Sequence, residues 1–176
     1  MSQTKVAING FGRIGRAFLK IALKSPELDV VAINDLGDPH NLAYLLKYDT
    51  VYGRSGYEPI VSEEDGQYFL VIGDKKIIFL SERDPTKLPW GELDIDVVLE
   101  STGVFTSYEK SRVHLESGAR RVVVSAPVKD EPPQGVNGAT VLMGVNSEAL
   151  KVCDISSNAS CTTNAGSPII YILYNS

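Results

Sequence analysis

Cysteine is scarce in this chain: Cys153 and Cys161 are the only two in 176 residues. Two cysteines make no disulfide framework, and a reducing, cytoplasmic setting is expected. An excess of basic residues is also missing. The formal net charge is −5, so no positive field exists to draw in nucleic acid or an anionic membrane surface. No apolar run approaches the length a bilayer requires. Residues 1–4 are polar and lead straight into a strand-like segment, so no signal peptide is expected. Internal repeats, low-complexity tracts and long charge blocks are lacking too, and no metal-ligand cluster stands out. What remains is a chain with 43% hydrophobic and 22% charged residues. That is an ordinary globular balance, at a length that buries a real core.

The most informative stretch is Lys5 to Arg16, Lys-Val-Ala-Ile-Asn-Gly-Phe-Gly-Arg-Ile-Gly-Arg. The apolar run Val6 to Ile8 predicts a buried strand. Gly10, Gly12 and Gly15 follow, and then a helical pattern with Ile14, Phe18, Ile21 and Ala22 on one face. Strand, glycine turn and helix in that order give a G-x-G-x-x-G spacing its meaning. Gly10 would permit the tight turn, Gly12 would let a pyrophosphate reach the backbone, and Gly15 would let helix and strand pack closely. The helix N-terminus offers unpaired N–H groups to the phosphates. A second apolar run, Leu28 to Ile33, completes a strand–helix–strand unit. Asp35, about 20 residues after Gly15, stands where a dinucleotide fold puts the carboxylate for the adenine ribose.

Further along, Asn41 to Lys47 reads as a helix with Leu42, Leu45 and Leu46 inward, and Tyr52 to Tyr57 as loop. Gln67 to Ile72 and Lys75 to Leu80 flank Gly73-Asp74, a hairpin signal. They predict a small antiparallel meander inserted into a parallel sheet. Asp96 to Glu100 is the next buried strand, ending in Ser101-Thr102-Gly103. Thr102 and Gly103 are candidates for a cofactor crevice, because open parallel sheets bind ligands beyond their carboxyl ends; a plain strand-to-helix turn fits them equally. Ser107 to Ser117 predicts one helix stopped by Gly118, Arg121 to Ser125 another strand, and 128–138 a surface loop. Thr140 to Val145 is expected to return to strand. Alternating strands and helices predict an α/β fold, a Rossmann-type doubly wound, mostly parallel sheet.

Near the end, Ser157 to Asn164 reads Ser-Asn-Ala-Ser-Cys-Thr-Thr-Asn, followed by Ile169, Ile170, Ile172 and Leu173 at helical spacing. With Ser160 or Asn158 as N-cap, Cys161 falls in a helix's first turn, where the dipole favours a thiolate. A thiolate attacks carbonyls well. The hydroxyls of Ser160, Thr162 and Thr163 could bind a phosphate or an oxyanion. A small buried cysteine with polar neighbours accounts for the same letters. Cys153 reads as a core residue, and His40 and His114 as structural or solvated. The helix ends at Ser176 without cap or glycine, as a cut or incomplete chain would.

Taken together, Lys5 to Arg16, Asn34-Asp35-Leu36, residues 48–53 (Tyr-Asp-Thr-Val-Tyr-Gly), Glu100 to Gly103, Ser125-Ala126-Pro127 and Ser157 to Asn164 resemble the phosphorylating glyceraldehyde-3-phosphate dehydrogenases. The resemblance runs over nearly the whole chain. It implies an NAD-dependent, homotetrameric glycolytic enzyme that oxidises glyceraldehyde 3-phosphate with inorganic phosphate to 1,3-bisphosphoglycerate. It casts Cys161 as the nucleophile, and Ser160 and Thr162 as binding substrate or phosphate. Gly10, Phe11, Gly12, Arg13, Ile14 and Gly15 correspond to the pyrophosphate loop, and Asp35 to the ribose acid. Arg83 falls near the adenine, and Thr102, Gly103 and Ser125 line the cofactor cleft. Residues 1–157 would be the NAD-binding domain and 158–176 the start of a catalytic domain. The family's catalytic histidine and most of its substrate domain would lie beyond Ser176, so this chain alone is expected to be inactive and to expose an apolar face. Ala165 stands where the family commonly has a second cysteine. An erythrose-4-phosphate dehydrogenase, or an NAD-binding fragment without turnover, shares these motifs.

Overall fold

A computed structural model describes residues 3–175. A nine-stranded sheet dominates it. The strands are β1 (Thr4–Asn9), β2 (Leu28–Asn34), β5 (Ile60–Glu64), β6 (Gln67–Ile72), β7 (Lys75–Leu80), β8 (Val97–Glu100), β9 (Arg121–Val124), β10 (Gly138–Thr140) and β11 (Ile155–Ser157). Their spatial order is β10-β11-β9-β8-β1-β2-β7-β6-β5. All pairs from β10 to β7 are parallel, and β5-β6-β7 forms the antiparallel meander at one edge. The meander therefore extends the sheet, as its hairpin signal predicted. β8 and the Val6–Ile8 stretch of β1 are apolar up to a polar last residue because both faces of a central parallel strand are covered. The covering helices are α1 (Arg13–Ala22), α2 (Pro39–Lys47), and the short α3 (Tyr108–Ser111) and α4 (Val113–Glu116).

The chain order reverses between β1 and β8. After β1 the chain builds outward through β2 and β7, then returns to start again on the other side with β8. Two neighbouring strand ends thus send their loops in opposite directions and leave a crevice, the usual ligand position in open α/β sheets.

Four details depart from expectation. α1 buries Gly15, Arg16, Leu19 and Ala22, while Ile14 and Ile21 face solvent. The cause is Gly15: a Cβ there would stand 2.2 Å from the Gly10 carbonyl oxygen. The inner face must pass through that contact, and positions four and seven residues on are Leu19 and Ala22. Residues 107–117 form two short helices meeting at Arg112, whose carbonyl accepts the Leu115 N–H at 2.9 Å in a tighter, three-residue turn. The strand expected over Thr140 to Val145 ends at Thr140. Asn146 accepts the Leu142 N–H at 2.7 Å and donates to the Thr140 carbonyl at 2.9 Å, closing a loop in place of a ladder. Finally, β3 (Tyr48–Asp49) and β4 (Gly53–Arg54) make a separate two-stranded hairpin, with β4 inside the stretch from Tyr52 to Tyr57 that reads as loop.

The last helix, α5 (Cys161–Tyr174), buries none of its described residues. Ile169, Ile170, Ile172 and Leu173 are all exposed, so its apolar side chains lie open as expected.

Candidate functional site

The glycine turn is built from two close approaches. Gly10 has φ +93, and a Cβ on it would sit 2.6 Å from the Thr102 nitrogen and 2.7 Å from the Ser101 carbonyl carbon. Ser101 Oγ donates to the Gly10 carbonyl at 2.7 Å. The loops after β1 and β8 are therefore in contact, with no room for a side chain between them. Gly12 is the opposite case: nothing lies within 4 Å of where its Cβ would be. It is the N-cap of α1, contributes no side-chain cap, and no acid occupies the first turn. The helix N-terminus, with its partial positive charge, opens onto the crevice beside a bare backbone.

That crevice has a volume of about 400 Å³, and its lining includes Gly12, Asp35, Arg83, Ser101, Thr102 and Phe105. The size suits a bound small molecule. The structure thus brings Gly12, Asp35, Arg83 and Thr102 together, from four separate parts of the sequence. Asp35 accepts the Phe11 N–H at 2.6 Å on one oxygen and the Gly37 N–H at 2.8 Å on the other. Each oxygen keeps a lone pair for a further donor such as a ribose hydroxyl. Phe11 itself is fully buried and anchors the turn. Arg13 and Ile14 are exposed at the start of α1, and Gly103 is exposed with φ +76. Ser125, at the end of β9, donates its backbone N–H to the Glu100 carbonyl at 2.9 Å. Neither Gly103 nor Ser125 lines the crevice.

Cys161, Ser160 and Thr162 do not line it either. They lie along the same carboxyl edge of the sheet, beyond β11, three strand positions from β1. At the usual spacing that is a separation of about 14 Å across the strands. Ser160 caps α5: its hydroxyl accepts the Thr163 N–H at 3.0 Å and lies 2.8 Å from the Thr163 hydroxyl. Cys161 is the first residue of α5 and is exposed, which removes the buried-cysteine reading. Cys153 is the buried one, and desolvation, with the nearby Asp154 carboxylate, pushes its thiol above the ordinary range.

Some of the site went unnoticed in the sequence. Ala159, buried just before the Ser160 cap, has φ +57. A side chain in the left-handed region costs about 1–2 kcal/mol, and here it sharpens the turn that presents Cys161. At the floor of the crevice runs a buried polar set, with Asn9 and Asn34 in its lining and Glu100 and His114 behind them. The available signal was the doubled Val-Ala-Ile-Asn at 6–9 and 31–34. Both asparagines end their strands and pair in register, and Asn9 pairs with Glu100 on the other side.

A glycine turn, an acid after the second strand and a crevice at the reversal of strand order define a dinucleotide-binding α/β domain. Residues 4–108 match the family described as glyceraldehyde 3-phosphate dehydrogenase, NAD binding domain. The chain is 48% identical over 172 residues to the glyceraldehyde-3-phosphate dehydrogenase of Geobacillus stearothermophilus, covering 97% of this chain and 48% of that protein. It is 46% identical over 171 residues to glyceraldehyde-3-phosphate dehydrogenase 1 of Bacillus subtilis, with 96% and 48% covered. The cytosolic enzyme of Trypanosoma brucei brucei is 46% identical over 169 residues, with 96% and 48% covered. The chain belongs to the glyceraldehyde-3-phosphate dehydrogenase family, is an NAD-binding domain of it, and spans about half the length of the curated relatives it matches.

Proposed function

We propose that the chain is the cofactor-binding half of an enzyme that oxidises glyceraldehyde 3-phosphate, with NAD and inorganic phosphate, to 1,3-bisphosphoglycerate. The observation that carries this is the placement of an exposed cysteine at the start of α5, on the same sheet edge as an uncapped glycine turn. Gly12 and the α1 N-terminus would hold the diphosphate, Asp35 the adenine ribose, and Arg83 the adenine rim. Gly10, Phe11 and Gly15 shape that turn, Arg13 and Ile14 carry its N–H groups, and Thr102, Gly103 and Ser125 border the path toward Cys161. NAD, when bound, supplies the acceptor for the electron pair released on oxidation.

The chain's own part centres on the Cys161 sulfur. As a thiolate it adds to the aldehyde carbon, giving a hemithioacetal whose oxygen faces the N–H groups of the α5 first turn. Loss of two electrons and two hydrogens from that adduct leaves a thioester. A phosphate oxygen attacks the thioester carbon and the C–S bond breaks, releasing acyl phosphate and regenerating the thiolate. Ser160 and Thr162 stand where phosphate oxygens would be bound. Neither histidine among the described residues can serve as the base: His114 is fully buried, and His40 lies 6.5 Å from Tyr68 on β6, at the far side of the sheet. Turnover is therefore expected only from a chain extended to the length of its relatives, with residues 158–176 opening the catalytic domain and four copies assembled in the cytoplasm.

An assay at 340 nm with NAD, phosphate and glyceraldehyde 3-phosphate tests this on the extended chain. Replacing Cys161 by Ser there should abolish turnover and leave NADH binding within about twofold. Retained turnover refutes the nucleophile. Faster turnover with erythrose 4-phosphate would favour the sister activity.

A further inference from the structure

Below the crevice, one carboxylate receives donors from two sides. Trp90 Nε1–H donates to His114 Nδ1 at 3.2 Å. An indole nitrogen can only donate, so Nδ1 must accept, and the neutral ring carries its hydrogen on Nε2. That Nε2 stands 3.0 Å from Glu100 Oε2 and donates to it. From the other side, the Glu82 backbone N–H donates to Asn34 Oδ1 at 2.8 Å, and Asn34 Nδ2 donates to Asn9 Oδ1 at 2.8 Å. Asn9 Nδ2 then donates to Glu100 Oε2 at 2.6 Å. Both arms begin at a group that can only donate, the indole and the backbone amide. Along each arm one hydrogen per link is consequently turned toward Glu100, while the second amide hydrogen of Asn34 goes to the Glu82 carbonyl at 2.9 Å. Its second oxygen, Oε1, accepts the Thr102 N–H at 2.8 Å and the Thr102 hydroxyl.

Four donors on two oxygens is what an ionised carboxylate accepts and an amide cannot. Turning a glutamine to face either arm would set an NH₂ group against another donor. Reversing Asn9 and Asn34 only moves the collision to Glu82 N–H, and reversing His114 moves it to Trp90. Thr102 is the recipient of this order. Its hydroxyl donates to Glu100 and accepts the Val104 N–H at 3.0 Å, and its backbone nitrogen is the atom packed against Gly10. Phe105, the next lining residue, sets its ring edge-on to His114 with centroids 5.8 Å apart.

The geometry points to Glu100 as a positioning residue for the cofactor. It does not line the crevice itself, yet its carboxylate holds the Thr102–Val104 loop as the wall of the crevice against the glycine turn. This rests on the reading of the crevice as the NAD site.

A double-mutant cycle on NADH affinity tests it, with the fluorescence of bound NADH as readout. Glu100→Gln preserves size and should weaken NADH binding about tenfold, the usual cost of leaving a buried donor or acceptor unmatched. Thr102→Val, on an exposed residue, removes only the hydroxyl and should weaken binding as well, with faster hydrogen exchange at the Val104 amide. In the Thr102→Val background, Glu100→Gln should cost less than about threefold in affinity, because the loop is already released. Its effect on melting temperature should persist in both backgrounds. Equal loss of affinity in both backgrounds would reduce Glu100 to a general fold residue and overturn the proposal, as would wild-type affinity in Glu100→Gln. Should Glu100→Gln fail to fold, Thr102→Val decides: unchanged NADH affinity or unchanged Val104 exchange overturns the proposal. Failure of the unmodified chain to bind NADH would instead overturn the crevice assignment on which all of this rests.

Discussion

Gly10 and Gly12 are two residues apart, and the structure assigns them opposite sensitivities. An alanine at Gly10 meets two penalties. Its φ of +93 is left-handed backbone, which costs an L-residue about 1–2 kcal/mol. Its Cβ would lie 2.6–2.8 Å from the Ser101–Thr102 main chain, and that backbone is tied down through Glu100 and Ser101. Overpacking of this kind costs about 1–3 kcal/mol. The sum, about 2–5 kcal/mol, is a large share of a domain's typical 5–15 kcal/mol. At this chain length it corresponds to a fall in melting temperature of about 5–20 °C. An alanine at Gly12 has φ −70 and open space around its Cβ. A poorer N-cap and a stiffer unfolded chain nearly offset each other, leaving a net change within about 1 kcal/mol. Its methyl group would occupy the space beside the α1 N–H groups where a diphosphate fits, so NADH affinity should fall at least about tenfold. Urea unfolding followed by Trp90 emission measures stability, since the single tryptophan is fully buried. NADH titration measures the rest. If Gly12→Ala unfolds as readily as Gly10→Ala, or binds NADH like the unmodified chain, the assignment of turn and cradle is wrong.

Three more outcomes follow from the same geometry. At pH 8, iodoacetamide should label Cys161 in the folded chain and reach Cys153 only after denaturation, because Cys153 is buried with its thiol held protonated; peptide mapping showing equal labelling would contradict this. NADH should bind at least about tenfold more tightly than NADPH, since a 2′-phosphate would meet the Asp35 carboxylate, and Asp35→Asn should narrow the gap. Asp49 is held below the usual carboxylate range by the Tyr52 and Val51 N–H groups and, more weakly, by Lys20 and Arg16. A lowered carboxyl stabilises above its unfolded value, about 3.9, and the effect is lost as pH falls through its folded value. The Val51 and Tyr52 amides, referenced to the intrinsic acid dependence of exchange, should therefore lose protection only below about pH 4, and Asp49→Ala should remove that transition.

How much of this was written locally in the chain depends on the range of the interaction that fixes each part. The glycine turn, the strand ends around it, the meander hairpin at Gly73-Asp74 and the Ser160 cap are settled by residues within a few positions of one another. They were legible for that reason. α1's buried face was not, since Ile14 and Ile21 outscore Gly15 on any hydrophobic count, and only the Gly10 carbonyl 2.2 Å from a would-be Cβ turns the helix toward Gly15. Ala159 carries no mark of its φ of +57; its conformation is imposed by β11 ending beside β9 while α5 must start at the sheet edge. The same holds more strongly for the crevice. Asn9 and Glu100 are 91 residues apart in sequence, and Glu82 meets Asn34 across 48. Each looks like an ordinary polar residue at the end of an apolar strand. What makes them a set is the reversal of strand order beside β1, which places three polar strand ends in register, and the two donor-only groups that orient the side chains between them. Gly12, Asp35, Arg83 and Thr102, which share the crevice, could thus be named from sequence, while the buried groups around Glu100 could be found only once the sheet had been assembled.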